Sequence, residues 1–390
     1  MTQTAHRALL PAGLTDVLPP DAAFEARVRE GLVQRFSRYG YDRVKPPLIE
    51  FEDNLISGSG AATASQTFRL MDPVSQRMLG VRPDMTLQIA RIATTRLADE
   101  PRPLRLSYAG EVLRVRGSSL RPERQFAQVG AEIIGSPSPE ADAEVILMAY
   151  EALAGLGLAE LTVDLGLPTL VPAICAALGI DLDEIGDRIR PALNQKDATA
   201  IAALGGGVAE ALGALLDAVG PAASALKALN GLALPDDGAV GLQHLQDVVS
   251  LISRGAPGLK MTVDPVEIRG YEYHTGVTFT LFALGSRGEL GRGGRYLAGN
   301  GEHGGEPATG MTLFLDAVIR ALPAGETEQR LFLPAGSDSK TATRLREEGW
   351  IAIQALDEAL PAEEAARAHG CSHILVNDEI RKITPAEKDT

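Results

Sequence analysis

Cysteine is nearly absent from this sequence. Cys175 and Cys371 are the only two, far apart and in no metal-ligand or redox spacing, so neither a disulfide framework nor a zinc site has support. Two buried thiols in a reducing cytoplasm are the expectation. Long apolar runs are missing too. No window reaches the ~18 apolar residues of a membrane span, and the opening residues MTQTAHRALLPAGLTD lack the basic stretch and apolar core of an export signal. Membrane insertion and export are therefore not expected. Positive charge is in deficit: 37 Lys and Arg face 51 Asp and Glu, a net charge of -14. Nucleic-acid binding rests largely on Lys and Arg displacing counterions, so this balance leans against a broad phosphate-binding surface, while still allowing a local basic patch.

What is present is the composition of a folded chain. With 390 residues, 45% hydrophobic and 23% charged, the sequence is long enough for one large domain and a small one, without long disorder. Asp21 is placed to cap a helix in which Phe24, Val28, Leu32 and Phe36 recur every four residues, with Gly40 to end it. YDRVKPPLIE reads as an extended segment broken by Pro46 and Pro47. TFRLMDPVSQRMLGVR reads as a hairpin around an Asp72-Pro73 turn. LRLSYAGEVLRV and RQFAQVGAEIIG are neighbouring antiparallel strands, joined by a loop rich in Arg, Gly and Ser. Ser138-Pro139-Glu140 starts a helix with a capping residue, a first-turn proline and acidic groups at the positive end of the dipole.

From about residue 169 to 258 the sequence is rich in Ala, Leu and Gly with helical periodicity, a helical insertion between two blocks of sheet. Strand signal returns in MTVDPVEIRGYEYHTGVTFTLFAL. The Gly-rich GELGRGGRYLAGNGEHGGEP follows, its glycines read as turn residues because no phosphate-loop GKS/T accompanies them. TGMTLFLDAVIRAL is a helix candidate, and the core domain, 1–321, ends there. Residues 329–390 alternate strand and helix as a small parallel α/β unit of about three strands. The expected class is α+β: an antiparallel sheet with flanking helices, a helical insertion and a small C-terminal α/β unit. His369 and His373 flank Cys371, but His-x-Cys-x-His at a helix-to-strand junction lacks metal-ligand spacing.

Seven segments, taken in order over roughly residues 10 to 321, resemble the histidyl-tRNA synthetase family of class II synthetase cores. They are PAGLTDVLPPDA, KPPLIE (motif 1), GVRPDMT, LRVRGSSLRPERQFAQVGAEIIG (motif 2), IRGYEYHTG, GGRY and GMTLFLDAVIRAL (motif 3). Such a site works by positioning an amino-acid carboxylate against the α-phosphate of ATP and by cations that stabilise the developing charge. The resemblance places Arg114 and Arg269 near the reacting groups and Phe126 under the adenine. It also exposes departures. Arg116 stands where the family has glutamate, Ala127 where it has histidine, and Ala317 where it has the motif 3 arginine that binds ATP. An alanine supplies neither charge nor planar surface. Losing one charged phosphate contact costs a few kcal/mol, and each loss of about 1.4 kcal/mol is tenfold in rate, so adenylation should be negligible.

The amino-acid side is better kept. The resemblance implies α-amino contacts at Asp84, Thr86 and Gln128, and imidazole contacts at Glu132, His274 and Tyr296, with Tyr273 beside them. Other readings stay open for some of these residues. Arg114 and Arg116 also fit a solvated face, Glu132 a structural salt bridge, and His274, a tyrosine in the synthetases, a satisfied core or surface histidine.

A histidine pocket without ATP chemistry resembles the regulatory branch of this family, whose members pair with a short-form ATP phosphoribosyltransferase catalytic subunit; the RPDMT form at Arg82–Thr86 also matches that branch. The resemblance implies a non-catalytic cytoplasmic subunit of histidine biosynthesis, needing no cofactor, with free L-histidine as effector. It also implies a homodimer within a hetero-oligomer, and no tRNA, since the residues after Ala321 are too few for the family's anticodon-binding domain. The alternatives are a divergent histidyl-tRNA synthetase and a paralogue that activates histidine for another acceptor.

Overall fold

The computed structural model describes residues 9–56, 64–117, 121–268, 273–299, 305–323, 329–357 and 359–383. The chain divides into two units, Met1–Pro323 and Ala324–Thr390.

In the first unit, helix α1 (Asp21–Arg38) buries Val28, Leu32, Val33 and Phe36, one apolar stripe of helical period. Asp21 does not cap it. It is the first helical residue, Pro20 holds the cap position, and the carboxylate acts through the helix dipole instead. Gly40 turns the chain away at φ +81°. Strands β1 (Asp42–Arg43) and β2 (Ile49–Phe51), helix α2 (Glu52–Ile56) and strands β3 (Phe68–Met71) and β4 (Met78–Val81) follow. The β3–β4 hairpin closes on Asp72, whose carboxylate accepts the backbone N–H groups of Val74 and Ser75 at 3.1 and 3.2 Å. Helix α3 (Thr86–Thr95) leads into the antiparallel pair β5 (Leu104–Leu113) and β6 (Gln125–Ile134). Helix α4 (Pro139–Ala154) begins with proline at its first position, but the Ser138 side chain makes no capping hydrogen bond.

After β7 (Leu161–Gly166) the chain is helical: α5 (Leu170–Ala177), α6 (Leu182–Asn194), α7 (Ala198–Ala202), α8 (Gly206–Asp217), the short β8 (Gly220–Pro221), α9 (Ala222–Leu229) and α10 (Asp236–Gly255). It returns to the sheet with β9 (Lys260–Asp264), β10 (His274–Ala283), β11 (Gly291–Ala298) and β12 (Glu306–Phe314), and α11 (Leu315–Ala321) ends the unit's regular structure. One nine-stranded sheet results, ordered β1-β5-β6-β12-β11-β10-β7-β9-β8. Its pairs are antiparallel except β1·β5 and β7·β9.

Two segments differ from the sequence reading for one reason. TGMTLF belongs to β12, and the helix begins only at Leu315. The glycines of GRGGRYLA are strand residues of β11, not turn residues. Both strands are central, and β12 is buried on both faces from Ala308 onward, so no alternation marks it and an apolar run of this kind reads equally as helix. The glycines are needed because neighbours come close: a Cβ at Gly293 would lie 2.1 Å from the Gly310 carbonyl oxygen.

The second unit is built from β13 (Arg330–Leu333), α12 (Ser339–Glu347), β14 (Ile351–Gln354), α13 (Ala362–Ala368), β15 (His373–Val376) and β16 (Glu379–Lys382). Its sheet runs β14-β13-β15-β16, with β13 parallel to β14 and β15. The fourth strand, β16, is antiparallel and goes beyond the sequence reading; Asn377 and Asp378, at φ +52° and +62°, form the tight turn into it. The histidines beside Cys371 serve packing: His369 stacks on Phe332 at 5.9 Å, and His373 meets Trp350 edge-on at 4.9 Å.

The close approach at β11 gives a direct test. Gly293→Ala should destabilise the chain by about 3 kcal/mol or more, since its obstacle is backbone. Gly40→Ala, in open space with only its positive φ to strain, should cost about 1 kcal/mol. Urea midpoints of the two variants should separate accordingly.

Candidate functional site

A cavity of about 300 Å3 lies against the central strands, walled by the start of α3 and by β6, β10, β11 and β12. Its walls include Asp84, Thr86, Glu132, Tyr273, His274 and Tyr296, six of the nine residues expected from the sequence.

Glu132 is 1% exposed, and its place is set by the strand register. In the β6–β12 pairing Glu132 faces Gly310, where any Cβ would sit 1.6 Å from its Oε2. Glycine at 310 is therefore the space the carboxyl occupies. The Tyr108 hydroxyl donates to Oε1 at 3.2 Å and the Tyr296 hydroxyl to Oε2 at 3.0 Å. Tyr108 has its own space over Gly130, where a Cβ would lie 2.3 Å from the ring. Its oxygen also meets Thr312 Oγ1 at 2.8 Å and Thr86 Oγ1 at 3.3 Å. Among the described residues the partners of Glu132 are hydroxyls rather than a cation, which does not fit a structural salt bridge. Burial, the largest influence, pushes its pKa up to about 8, with the hydroxyls opposing. Sequence alone marks Gly310 only as the first glycine of motif 3 and gives no sign of Tyr108 or Thr312, since what recruits all three is a cross-strand register.

Asp84 precedes α3 and is held at two points. Its Oδ1 accepts the Thr86 backbone N–H at 2.9 Å and its Oδ2 accepts Gln128 Nε2 at 2.8 Å. Gln128 Oε1 in turn accepts the Met85 N–H at 3.2 Å. Gln128 is fully buried and stands behind Asp84, not on the cavity wall, where it holds the carboxylate in place.

Arg114 is likewise off the wall. Its Nε donates to the Pro83 carbonyl at 3.2 Å, its guanidinium lies 5.0 Å from the Phe126 ring, and burial lowers its pKa. The solvated-face reading holds for the exposed Arg116 but not for Arg114. Phe126 itself is 4% exposed, enclosed by Arg114, by Arg121 at 5.0 Å and by the edge of Phe314 at 6.2 Å. Arg121 lies 3.8 Å over Phe314 and pairs with Asp316 at 3.3 Å. Ala317 is buried at 4% exposure. Arg269 lies outside the described residues.

The remaining wall is aromatic. Tyr273 stacks on Tyr296 at 5.1 Å and approaches the His274 ring at 4.8 Å. The Tyr273 hydroxyl is buried without a hydrogen-bond partner among the described residues, and such a group in a cavity wall is a place for a ligand atom. His274 Nδ1 lies 3.2 Å from the Arg295 carbonyl oxygen, and burial brings its pKa down to about 4. The site thus offers carboxyl, hydroxyl and imidazole groups around a stacked aromatic wall, a constellation suited to binding a small polar molecule with a planar part.

Comparisons with known proteins place these features. The family model described as histidyl-tRNA synthetase matches residues 13–318. The chain is 56% identical over 98% of its length to the full ATP phosphoribosyltransferase regulatory subunit of Paramagnetospirillum magneticum. It is 53% identical to that of Rhodospirillum centenum, covering 96% of each chain. Among solved structures, it resembles an ATP phosphoribosyltransferase regulatory subunit/histidyl-tRNA synthetase from Bacillus halodurans, with a TM-score of 0.81 and 25% identity over 94% of this chain and 97% of that one. The histidyl-tRNA synthetase of Nostoc, at a TM-score of 0.79 and 19% identity over 95% of this chain and 91% of that one, shares the fold.

The two shifted groups predict a pH signature. Glu132, raised from 4.5 to about 8, holds its proton more tightly when folded, so its contribution is complete below pH 4.5 and is lost as pH rises through 8. His274, lowered from 6.5 to about 4, acts oppositely: stability rises with pH between those values and is level above 6.5. Between pH 6.5 and 8 only the Glu132 slope remains of the two. Urea unfolding should show wild-type stability falling across that window relative to Glu132→Gln; equal slopes would mean that the carboxyl does not titrate there.

Proposed function

The chain belongs to the ATP phosphoribosyltransferase regulatory subunits, a branch of the histidyl-tRNA synthetase family, and from that premise we propose that it pairs with a short-form catalytic subunit and senses free L-histidine in the Glu132 pocket. It is a non-catalytic subunit of the first step of histidine biosynthesis, working in the cytoplasm as a homodimer within a hetero-oligomer, without tRNA. No described helix is long and apolar enough to cross a membrane.

One observation carries this reading: the carboxyl and hydroxyl groups expected on the amino-acid side wall the cavity, while Phe126, expected under the adenine, is enclosed by the chain itself. Glu132, two tyrosine hydroxyls and a braced Asp84 wall the cavity. The Phe126 ring that a purine would need is covered by Arg114, Arg121 and Phe314. A site of that kind suits an imidazole and an α-amino group better than it suits the adenine of ATP. Histidine then regulates by linkage. If it binds one state of the hetero-oligomer more tightly than another, it shifts the population toward that state by the difference in affinity and no more.

The test is to co-purify the chain with the short catalytic subunit from the same genome and to assay product formation with and without histidine. Activity should require this chain and should fall when histidine is added. Glu132→Ala should weaken that inhibition at least tenfold in histidine concentration while the complex still assembles, because the pocket loses its buried carboxyl. Arg269→Ala should act in the same direction. Unchanged inhibition in both variants would remove the pocket from the account, and pyrophosphate exchange into ATP by the isolated chain would make it a synthetase.

A further inference from the structure

The cavity has a second layer behind it. Arg295 precedes Tyr296 on β11, so strand alternation sends its side chain to the opposite face of the sheet. There it is 7% exposed, and it donates from Nε and from one terminal nitrogen to Asp142 Oδ2 at 3.0 and 2.6 Å. The same guanidinium reaches the Ser136 and Ser138 carbonyls at 2.8 and 2.9 Å. Asp142, on α4 and 1% exposed, also meets His244 Nε2 of α10 at 2.6 Å. The aliphatic stem of Arg295 runs across Gly276, where a Cβ would lie 3.0 Å from its Cδ. Gly276 lies in the stretch where the β10–β11 register shifts between His274 and Thr278, an irregularity of the kind that re-aims a side chain. None of these groups lines the cavity, yet together they pin the backbone that carries Tyr296 and the carbonyl facing His274.

That carbonyl decides the chemistry of His274. A carbonyl oxygen only accepts, so the 3.2 Å contact requires the proton on Nδ1. In a neutral ring the other nitrogen, Nε2, is then an acceptor. We propose that Arg295, fastened from behind by Asp142, is the positioning residue of this pocket: it holds His274 in the Nδ1–H tautomer, and the site takes a ligand that presents an N–H donor to Nε2. The depressed pKa of the buried ring is consistent with neutrality. Glu132, the buried carboxyl of the same wall, is the complementary partner: protonated, it donates to a ring nitrogen. A neutral imidazole carries one donor and one acceptor and matches the pair. The inference rests on the reading of the pocket as an amino-acid site, and it makes His274 specificity-determining where the synthetases have tyrosine.

The experiment begins on the ligand-free chain with 15N-labelled histidine, the His274 ring signals being assigned by their loss in His274→Gln. The wild-type ring should show a protonated Nδ1 and a bare Nε2. Arg295→Met, which keeps the stem and removes the fork, should shift the ring toward a tautomer mixture, and Arg295→Lys should restore part of the wild-type pattern. Because Arg295→Met leaves Asp142 buried without its cation, the double variant Arg295→Met/Asp142→Leu, which removes both charges, serves if the single one fails to fold. Calorimetric titration with L-histidine should then show about tenfold weaker binding in the folded variant, the size of one hydrogen bond. Val145→Ala, a core truncation in α4 that lowers stability without touching the network, should leave that affinity unchanged. A wild-type ring with its proton on Nε2, or wild-type ring signals in the Arg295 variants, would overturn the proposal. The Nδ1–H tautomer in a chain that does not bind histidine would leave the positioning role standing and sink the histidine reading instead.

Discussion

The burial of one carboxyl group organises this molecule. Glu132 sits in a central strand with almost no solvent contact, and an unpaired carboxylate there would be too costly to keep. Three features answer that cost. Gly310, opposite in register, leaves the volume; Tyr108 and Tyr296 supply hydroxyl donors; and burial lets the group stay protonated up to about pH 8. Each has its own requirement. Tyr108 needs glycine at position 130, and Tyr296 needs β11 to be held firmly, which the Arg295–Asp142 pair on the opposite face accomplishes. A single polar group thus dictates residues on four strands and one helix.

The same sheet explains how a synthetase-like core serves as a regulatory subunit. Amino-acid recognition and nucleotide recognition use different parts of such a site, so one can be lost while the other persists. On the proposed reading, the loss here is by occupation as well as by substitution. Arg121 lies on Phe314 and pairs with Asp316, enclosing Phe126, and Ala317 contributes only packing. What remains is a cavity of about 300 Å3 whose polar groups are braced from behind, Asp84 by Gln128 and His274 by the Arg295 carbonyl. Bracing suits a sensor. A preorganised pocket spends little of a small ligand's binding energy on ordering side chains, so more of it is available to shift a population between states.

Much of this was legible in the sequence, for physical reasons that can be named. Helix α1 announced itself through Val28, Leu32 and Phe36 at helical spacing, the first hairpin through Asp72-Pro73, and the β5–β6 pair through two strand-like runs separated by a polar loop. Glu132 was visible as a carboxylate amid apolar residues, and Asp84, Thr86, Tyr273, His274 and Tyr296 came through the family resemblance. Strand β12 was hidden because a strand buried on both faces has no alternation to read. The glycines of β11 were hidden because their purpose is to admit atoms from β10 and β12, more than ten residues away in sequence.

The sequence by itself therefore determined the class of the fold, its family, and most of the called side chains that wall the cavity, since periodicity, turn chemistry and residue type are local properties. The tertiary structure alone decided their roles. It put Gln128 and Arg114 behind the wall instead of on it, matched Glu132 to Gly310, Tyr108 and Tyr296 across three strands, and tied His274 through a backbone carbonyl to an ion pair on the far face. Register and burial are relations between distant segments. They are what turn a carboxyl, a phenol and an imidazole into a defined donor and acceptor.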